Sequence, residues 1–415
     1  MGEIEVPSHF LCPISMELMR DPVTAVTGIT YDRESIEKWL FSGKNTTCPV
    51  TKQDLSDTDL TPNHTLRRLI QGWCTLHASH GIERIPTPKP PVDKAKVEKL
   101  VNDANKFPQM QLECIQRLKS LALESERNRK CLEEAGAIEF LASVIIKNEY
   151  PMAVEATSDH ESDLPSARDE ALSILYHLET SEASRKKLVP SNNGEFMESL
   201  VQVLACGRCQ SRTDAVLLLK SVFEVADPNQ LIGVAPKLFI GITSVLREKI
   251  SYQTSKAALK LLMEICPWGR NRVKAVEAGA VFALVELLLD APEKRISELV
   301  LVVLDQLCSC AEGRAELVRH AAGVAIVSKK ILRVSHLASD RAVKILSSVC
   351  RLSACSRVLQ EMQQVGVVSK LCLVLQMESS LKTKERAREI LKLHSRVWKH
   401  SPCIPPRLLS SYPAS

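Results

Sequence analysis

The stretch Phe10-Leu-Cys-Pro-Ile-Ser-Met-Glu-Leu-Met-Arg-Asp-Pro-Val23 decides the fold of the N-terminal part of this chain. Pro13 cannot lie inside a helix or a central strand, so the stretch begins as an irregular apolar loop. Short strands are predicted at residues 23–26 and 29–31, around a turn at Thr27-Gly28. The pattern indicates a small α+β domain.

Two helices complete this predicted domain. The first covers residues 33–41, with Asp32 as its N-cap and an end near Gly43. The second follows Asn63, which is predicted to cap it. Between the helices, Cys48-Pro-Val-Thr-Lys-Gln53 forms a second loop. On the first helix three apolar residues share one face: Ile36, Trp39 and Leu40.

Three segments of this domain, residues 10–23, 28–33 and 48–53, together resemble a U-box. The U-box is the zinc-free relative of the RING domain and recruits ubiquitin-charged E2 enzymes. The resemblance implies a shallow E2-binding groove between the two loops and the helix, with apolar contacts from Ile14, Met16, Trp39 and Pro49. For Ile14 and Trp39, a role in the core is the alternative.

Lys52 lies where many U-boxes have an arginine that contacts both E2 and ubiquitin, so it is the candidate catalytic residue. Lysine is a compact charge without the rigid fork of arginine, and the chain departs from the family pattern here. An ordinary solvated lysine is the alternative. The resemblance further implies that hydrogen bonds and ion pairs replace metal, and the expected members of this network are Ser15, Glu17, Asp32 and Arg33.

The cysteine and histidine spacing argues against a metal site. Up to residue 76 the chain has only five such residues, and no two of them have the spacing of a zinc-ligand pair: His9, Cys12, Cys48, His64 and Cys74. A covalent ubiquitin carrier at Cys12 or Cys48 would need an activating base, and neither has a neighbouring histidine. We expect packed thiols and no cofactor.

Composition limits the remaining function classes. The chain has 415 residues, which predicts more than one domain. Its 54 basic and 49 acidic residues give a net charge of +5, too small to favour nucleic acid as a partner. No apolar stretch is long enough to span a membrane, and no signal peptide pattern opens the chain. We expect a cytoplasmic protein, with the nucleus open as a second compartment.

From about residue 98 the sequence repeats with a period that matches HEAT or armadillo units. Glu134-Ala-Gly-Ala-Ile recurs as Glu277-Ala-Gly-Ala-Val, and Gly323 and Gly366 continue the series at 44 and 43 residues. This glycine motif resembles the armadillo repeat. The resemblance implies three helices per unit, with the glycine in the turn before the third helix. The predicted units are 100–146, 167–205, 210–249, 252–292, 294–334 and 336–377, followed by a partial unit at 383–399.

The fold class is therefore mainly α: a small α+β U-box followed by an armadillo α-solenoid. The predicted parts are a U-box domain at 5–79, a Pro-rich linker at 80–97, the solenoid at 98–400 and a flexible tail at 401–415. An acidic insertion, residues 148–166, is expected as a loop inside the second unit.

This arrangement resembles the plant U-box/armadillo E3 ubiquitin ligases, which act in stress and immune signalling. The expected partners are a charged E2 and a protein substrate held in the armadillo groove. The third helices lack the Asn and Trp ladder of nuclear-import receptors. The alternative is a non-catalytic armadillo scaffold whose U-box-like domain forms a homodimer.

Overall fold

The computed structural model describes residues 6–42, 45–55, 59–78, 92–147, 166–178, 180–188, 194–290 and 293–398. Most of the predicted linker, nearly all of the acidic insertion and the predicted tail lie outside the described residues. The chain forms two compact units: Met1–Leu141 with His177–Glu179, and Ala142–Tyr176 with Thr180–Ser415.

The N-terminal domain is built on a three-stranded antiparallel sheet in the order β2-β1-β3. The strands are β1 Pro22–Thr24, β2 Thr30–Asp32 and β3 Thr61–Pro62. Val23 lies opposite both Tyr31 and Pro62. The predicted turn at Thr27-Gly28 is present, and Gly28 has a positive φ of 80°. The sequence did not predict β3, because two residues are too short to show an alternating pattern.

The first helix of this domain differs from its prediction at the C-terminal end. α1 covers Arg33–Glu37 and continues as a π-helical turn, Lys38–Ser42. α2 covers His64–Leu76, and the Asn63 side chain accepts a hydrogen bond from the backbone N–H of Leu66, as predicted. The core beneath the sheet and helices is formed by Phe10, Cys12, Met19, Val23, Ala25, Tyr31, Ile36, Leu40, Cys48, Leu55, Leu60, Ile70 and Cys74.

The rest of the described chain is helical. α3, Lys94–Lys106, begins inside the stretch predicted as linker. Helices in groups of three follow it: α4 Gln111–Glu124, α5 Glu126–Glu134, α6 Ala137–Lys147; α7 Ala167–His177, α8 Glu182–Leu188, α9 Glu195–Cys206; α10 Cys209–Phe223, α11 Pro228–Ile232, α12 Pro236–Glu248; α13 Tyr252–Ile265, α14 Asn271–Glu277, α15 Ala280–Asp290; α16 Lys294–Leu307, α17 Ala311–Arg319, α18 Gly323–Lys330; α19 His336–Leu352, α20 Ser356–Gln364, α21 Val367–Gln376. A partial group closes the series: α22 Leu381–Leu393 and α23 Ser395–Trp398.

Corresponding helices of neighbouring groups pack against each other in two layers. In the second unit the first helices α10, α13, α16, α19 and α22 make one layer, and the third helices α9, α12, α15, α18 and α21 make the other. Each group buries its apolar faces against its neighbours, as a solenoid requires. None of the helices in the described ranges is long and apolar enough to cross a bilayer.

The repeated glycines have two different roles. Gly136, Gly279 and Gly366 have φ of 77°, 79° and 75°, as expected for the turn before the third helix. Gly323 does not have a positive φ. A Cβ on Gly323 would lie 2.1 Å from the carbonyl oxygen of Leu317, so close backbone packing requires the glycine there.

Candidate functional site

The first loop of the N-terminal domain, residues 12–17, is closed by its own backbone. The Cys12 N–H donates to the Glu17 carbonyl at 2.8 Å, and the Met16 N–H donates to the Cys12 carbonyl at 2.8 Å. The Glu17 N–H also approaches the Ser15 hydroxyl at 3.4 Å. Met16 is left-handed, with φ of 58°, and its side chain is 71% exposed.

The second loop, residues 48–53, repeats this geometry. The Cys48 N–H donates to the Gln53 carbonyl at 2.8 Å, and the Lys52 N–H donates to the Cys48 carbonyl at 2.9 Å. The Gln53 N–H approaches the Thr51 hydroxyl at 3.4 Å, and Lys52 has φ of 60°. The two segments therefore share a Cys-Pro-aliphatic-hydroxyl pattern, a signal that the sequence analysis missed.

Strand β2 anchors both loops through their cysteines. The Cys48 thiol lies 2.9 Å from the Tyr31 hydroxyl and accepts from the Thr27 hydroxyl at 3.4 Å. The Cys12 sulfur accepts from the backbone N–H of Asp32 at 3.3 Å. Both cysteines have no exposed surface, so neither can reach an E2 thioester. They act as attachment points for the loops.

These contacts also shift the acidity of the thiols. Burial raises the pKa of Cys48, but hydrogen bonds from Thr27, Thr51 and Tyr31 outweigh it and lower the pKa to about 6. For Cys12, burial is likewise outweighed by hydrogen bonds from Ser15 and from the Asp32 backbone, so its pKa is lowered. The shift reflects donors that hold the loops in place.

The apolar residues proposed for E2 binding lie on these loops and on the π-helical turn. Ile14 and Trp39 are half-buried and pack against the core, so each has both a packed and an outward part. The Trp39 indole Nε1 donates to the Thr47 carbonyl at 2.8 Å, which fixes the ring beside the second loop. Pro49 is half-buried. Val50, which the sequence analysis did not include, is 50% exposed.

Lys52 lies next to this surface. Its Nζ is 6.0 Å from the centroid of the Trp39 ring, at the outer limit of a cation–π contact. The structure therefore brings Lys52 close to Trp39, although the sequence places one on the second loop and the other on the first helix. The left-handed backbone at Lys52 costs about 1 kcal/mol compared with glycine, so this lysine lies at a strained backbone position.

The expected cap at Asp32 makes a different set of bonds. Asp32 precedes α1 as predicted, but its side chain makes no cap to that helix. Its Oδ1 instead accepts from the backbone N–H groups of Arg20 and Asp21, at 2.7 and 2.8 Å. These two N–H groups, just before β1, bind the carboxylate in place of the N–H groups at the start of α1. Burial raises the pKa of Asp32, and the two backbone bonds partly oppose the shift.

Arg33 completes a polar network that joins β1, α1 and α2. Its Nε donates to Asp21 at 2.6 Å, and Arg67 from α2 approaches the same carboxylate at 3.6 Å. Neither Asp21 nor Arg67 was identified from sequence. Among the described residues the Ser15 hydroxyl bonds only within its own loop, and Glu17 contributes a backbone carbonyl while its side chain is exposed.

We expect Asp21→Asn to destabilise the U-box-like domain by about 1–2 kcal/mol, because Arg33 and Arg67 lose a charged acceptor in a largely buried setting. Hydrogen–deuterium exchange of the full chain should show faster exchange in β2 and α2. Glu17→Gln is the matched control, since that carboxylate is exposed. Equal exchange in Asp21→Asn and wild type would contradict the prediction.

Two family models match this chain. The model of the U-box domain matches residues 6–79, and the model of the plant U-box protein ARM repeat region matches residues 96–414. The chain is 52% identical to the E3 ubiquitin-protein ligase PUB23 of Arabidopsis thaliana, over 99% of this chain and 98% of the relative. This chain belongs to the plant U-box/armadillo E3 ubiquitin ligases. It is a U-box-type ubiquitin transferase.

Further similarities fit this assignment. The U-box ligase is 51% identical to PUB22 of the same plant, with 99% of both chains covered. A solved structure from a study of a phosphorylation switch between cadherin and β-catenin matches with a TM-score of 0.56 at 15% identity, covering 81% of this chain and 58% of that one. That likeness supports the mainly α, armadillo-type fold class predicted from sequence. In the described residues of the U-box ligase, no group of three or more His, Cys, Asp or Glu could hold a metal ion.

Proposed function

We propose that this E3 ligase binds a ubiquitin-charged E2 on the surface formed by its two matching loops and Trp39. The observation that carries the proposal is the pair of loops with the same hydrogen bonds, both fixed to β2 and both exposing apolar side chains, Met16 and Val50. Loops held by the domain itself can present an apolar surface without ordering on binding, which lowers the entropy cost of association.

The chemistry on this surface is positional. The lysine amine of the target attacks the thioester carbonyl, and the E2 cysteine leaves as its thiolate. The ligase forms no covalent intermediate. It holds the charged E2 so that the reacting atoms stay close and aligned. Lys52 lies beside Trp39 and offers N–H donors to carbonyl oxygens of E2 or ubiquitin.

A lysine-discharge assay tests this function directly. Purified chain is added to an E2 loaded with ubiquitin, and transfer to free lysine is followed with time. We expect faster discharge and, with E1, ATP and ubiquitin present, polyubiquitin on the ligase itself. No acceleration with any member of a panel of plant E2 enzymes would overturn the E2-docking proposal.

The Lys52 side chain is expected to affect the discharge rate without affecting folding. Lys52→Ala should slow discharge about tenfold, because a charge-assisted hydrogen bond worth about 1.5 kcal/mol is lost. Lys52→Arg should equal or exceed wild type, since arginine can bridge two acceptors.

Arg68→Ala is the control, because Arg68 is also an exposed basic residue but lies on α2 and not on the two loops or the π-helical turn. Unchanged discharge in Lys52→Ala would show that Lys52 is an ordinary surface lysine.

We further propose that the third-helix layer of the solenoid holds the protein substrate and that the ligase acts in plant stress or immune signalling. The first part is supported by the exposed side chains along that layer, and the second by the family resemblance. A loss-of-function plant with an unchanged response to a bacterial elicitor would contradict the second part.

A further inference from the structure

The third-helix layer carries exposed apolar residues at matching positions. Ile240 in α12 and Phe282 in α15 each follow two buried residues of their helix. They are 58% and 52% exposed, although both are large apolar side chains. Because α12 and α15 pack side by side, the two residues belong to one surface of the solenoid.

Phe282 is held between groups from both neighbouring units. The guanidinium carbon of Arg247 lies 5.8 Å from its ring centroid, and the His320 ring lies 5.0 Å away. A Cβ on Gly279 would come within 2.5 Å of the Arg247 guanidinium, so the glycine leaves room for it. The stacked arginine and phenylalanine are therefore partly ordered before any partner arrives.

His320 is fixed in one tautomer. Its Nδ1 accepts from the backbone N–H of Ala322 at 3.2 Å, so the other ring nitrogen carries the proton. That Nε2 then donates to the Glu286 carboxylate at 3.0 Å. Glu286 is therefore already hydrogen-bonded within the protein.

Arg247 has no acidic partner in the described part of the chain. The acidic residue beside it and those of α15 are engaged elsewhere: Glu248 accepts from Arg212, Glu286 from His320, and Asp290 pairs with Lys249. The Arg247 side chain is exposed, and its contacts are with the Phe282 ring and the Gly279 turn. Its N–H donors are thus available to a carboxylate from another molecule.

We propose that Arg247, Gly279, Phe282, Glu286 and His320 form a docking cluster for an extended substrate segment that carries a carboxylate beside an apolar side chain. This inference rests on the proposed function, since it names the class of segment that the solenoid holds. The carboxylate pairs with Arg247, and the apolar side chain covers Phe282 and Ile240. A basic segment would meet the unpaired charge of Arg247 and is disfavoured.

A peptide array probes this cluster without E2. Each peptide is a Ser-Gly chain with one Asp, Glu, Lys or Arg next to one apolar residue, and binding of full-length protein is quantified. We expect wild type to favour the Asp and Glu peptides. Arg247→Glu should move the preference to Lys and Arg peptides, and Phe282→Ala should weaken binding about tenfold.

The chain supplies a matched control. Half-buried Lys256 lies 5.8 Å from the ring of exposed Tyr252, which makes another cation–aromatic pair, on the first-helix layer. Lys256→Glu and Tyr252→Ala should bind the array like wild type, and circular dichroism should confirm that every variant is folded. A wild-type preference for basic peptides, equal losses in both pairs or no binding would overturn the cluster. The discharge assay reports E2 docking separately, so either proposal can fail alone.

Discussion

Ile14→Ala and Trp39→Ala are each expected to abolish polyubiquitin formation with E1, E2, ubiquitin and ATP. Truncating an apolar anchor at the centre of an interface costs about 2 kcal/mol or more, which is about thirtyfold in affinity. Both residues lie at the edge of the core with part of their surface outward. Removing either one takes away part of the proposed E2 surface.

The same partial burial means that these variants could lose stability as well, so a third variant separates the two effects. Met16→Ala removes a side chain that is 71% exposed and should reduce E2 binding without changing thermal unfolding. Leu69→Ala, at an exposed apolar residue on α2, is the control for general loss of apolar surface. Full activity in both Ile14→Ala and Trp39→Ala, with helical content preserved, would contradict the E2 assignment.

Asn271→Ala is expected to lower the free energy of unfolding of the solenoid by about 2–4 kcal/mol. Asn271 is fully buried at the start of α14. Its Nδ2 donates to the Leu231 carbonyl at 2.6 Å and to the Ile265 carbonyl at 2.9 Å. Alanine would remove the side-chain donor from both carbonyls, and of the two the Ile265 carbonyl would keep the backbone N–H of Trp268 at 3.3 Å.

Urea unfolding followed by circular dichroism measures this effect. The neighbouring Arg272 is the matched control, because its guanidinium is exposed and bonds to the Ser309 hydroxyl at 2.6 Å. Arg272→Ala should cost less than about 1 kcal/mol. An unfolding free energy of Asn271→Ala within 0.5 kcal/mol of wild type, taken as about the scatter expected for surface substitutions, would show that the buried amide is dispensable.

The recurring Asn-Arg pair shows how far a sequence pattern can be interpreted. Asn128-Arg129 and Asn271-Arg272 lie at matching offsets before a repeat glycine, which marks them as parts of one motif. The structure shows what the asparagine does: Asn128 Nδ2 donates to the Leu121 carbonyl at 3.1 Å, and its Oδ1 accepts from the backbone N–H of Val92 at 3.2 Å. The partner at Val92 could not be identified from the pattern, because Val92 precedes the region in which the sequence repeats.

The U-box likewise has features that the sequence predicted and features that it did not. The spacing of apolar residues and the positions of Pro and Gly predicted its loops, two strands and two helices, because these depend on local backbone preference. Asp21 and Arg67 were missed as network members, since nothing near either residue in sequence indicates that Arg33 will bring them together. Asp32 was placed correctly before α1 but bonds to the backbone of β1 instead.

Sequence by itself therefore determined the order of a U-box and an armadillo solenoid and the turn glycines at positions 136, 279 and 366. These features follow from local conformation and from the period of apolar side chains. Only the tertiary structure decided that β2 anchors both cysteine loops, that Lys52 lies beside Trp39 and that Arg247 has no acidic partner among the described residues. Each of these depends on which distant groups compete for the same donor or acceptor, and that competition is settled only when the chain is packed.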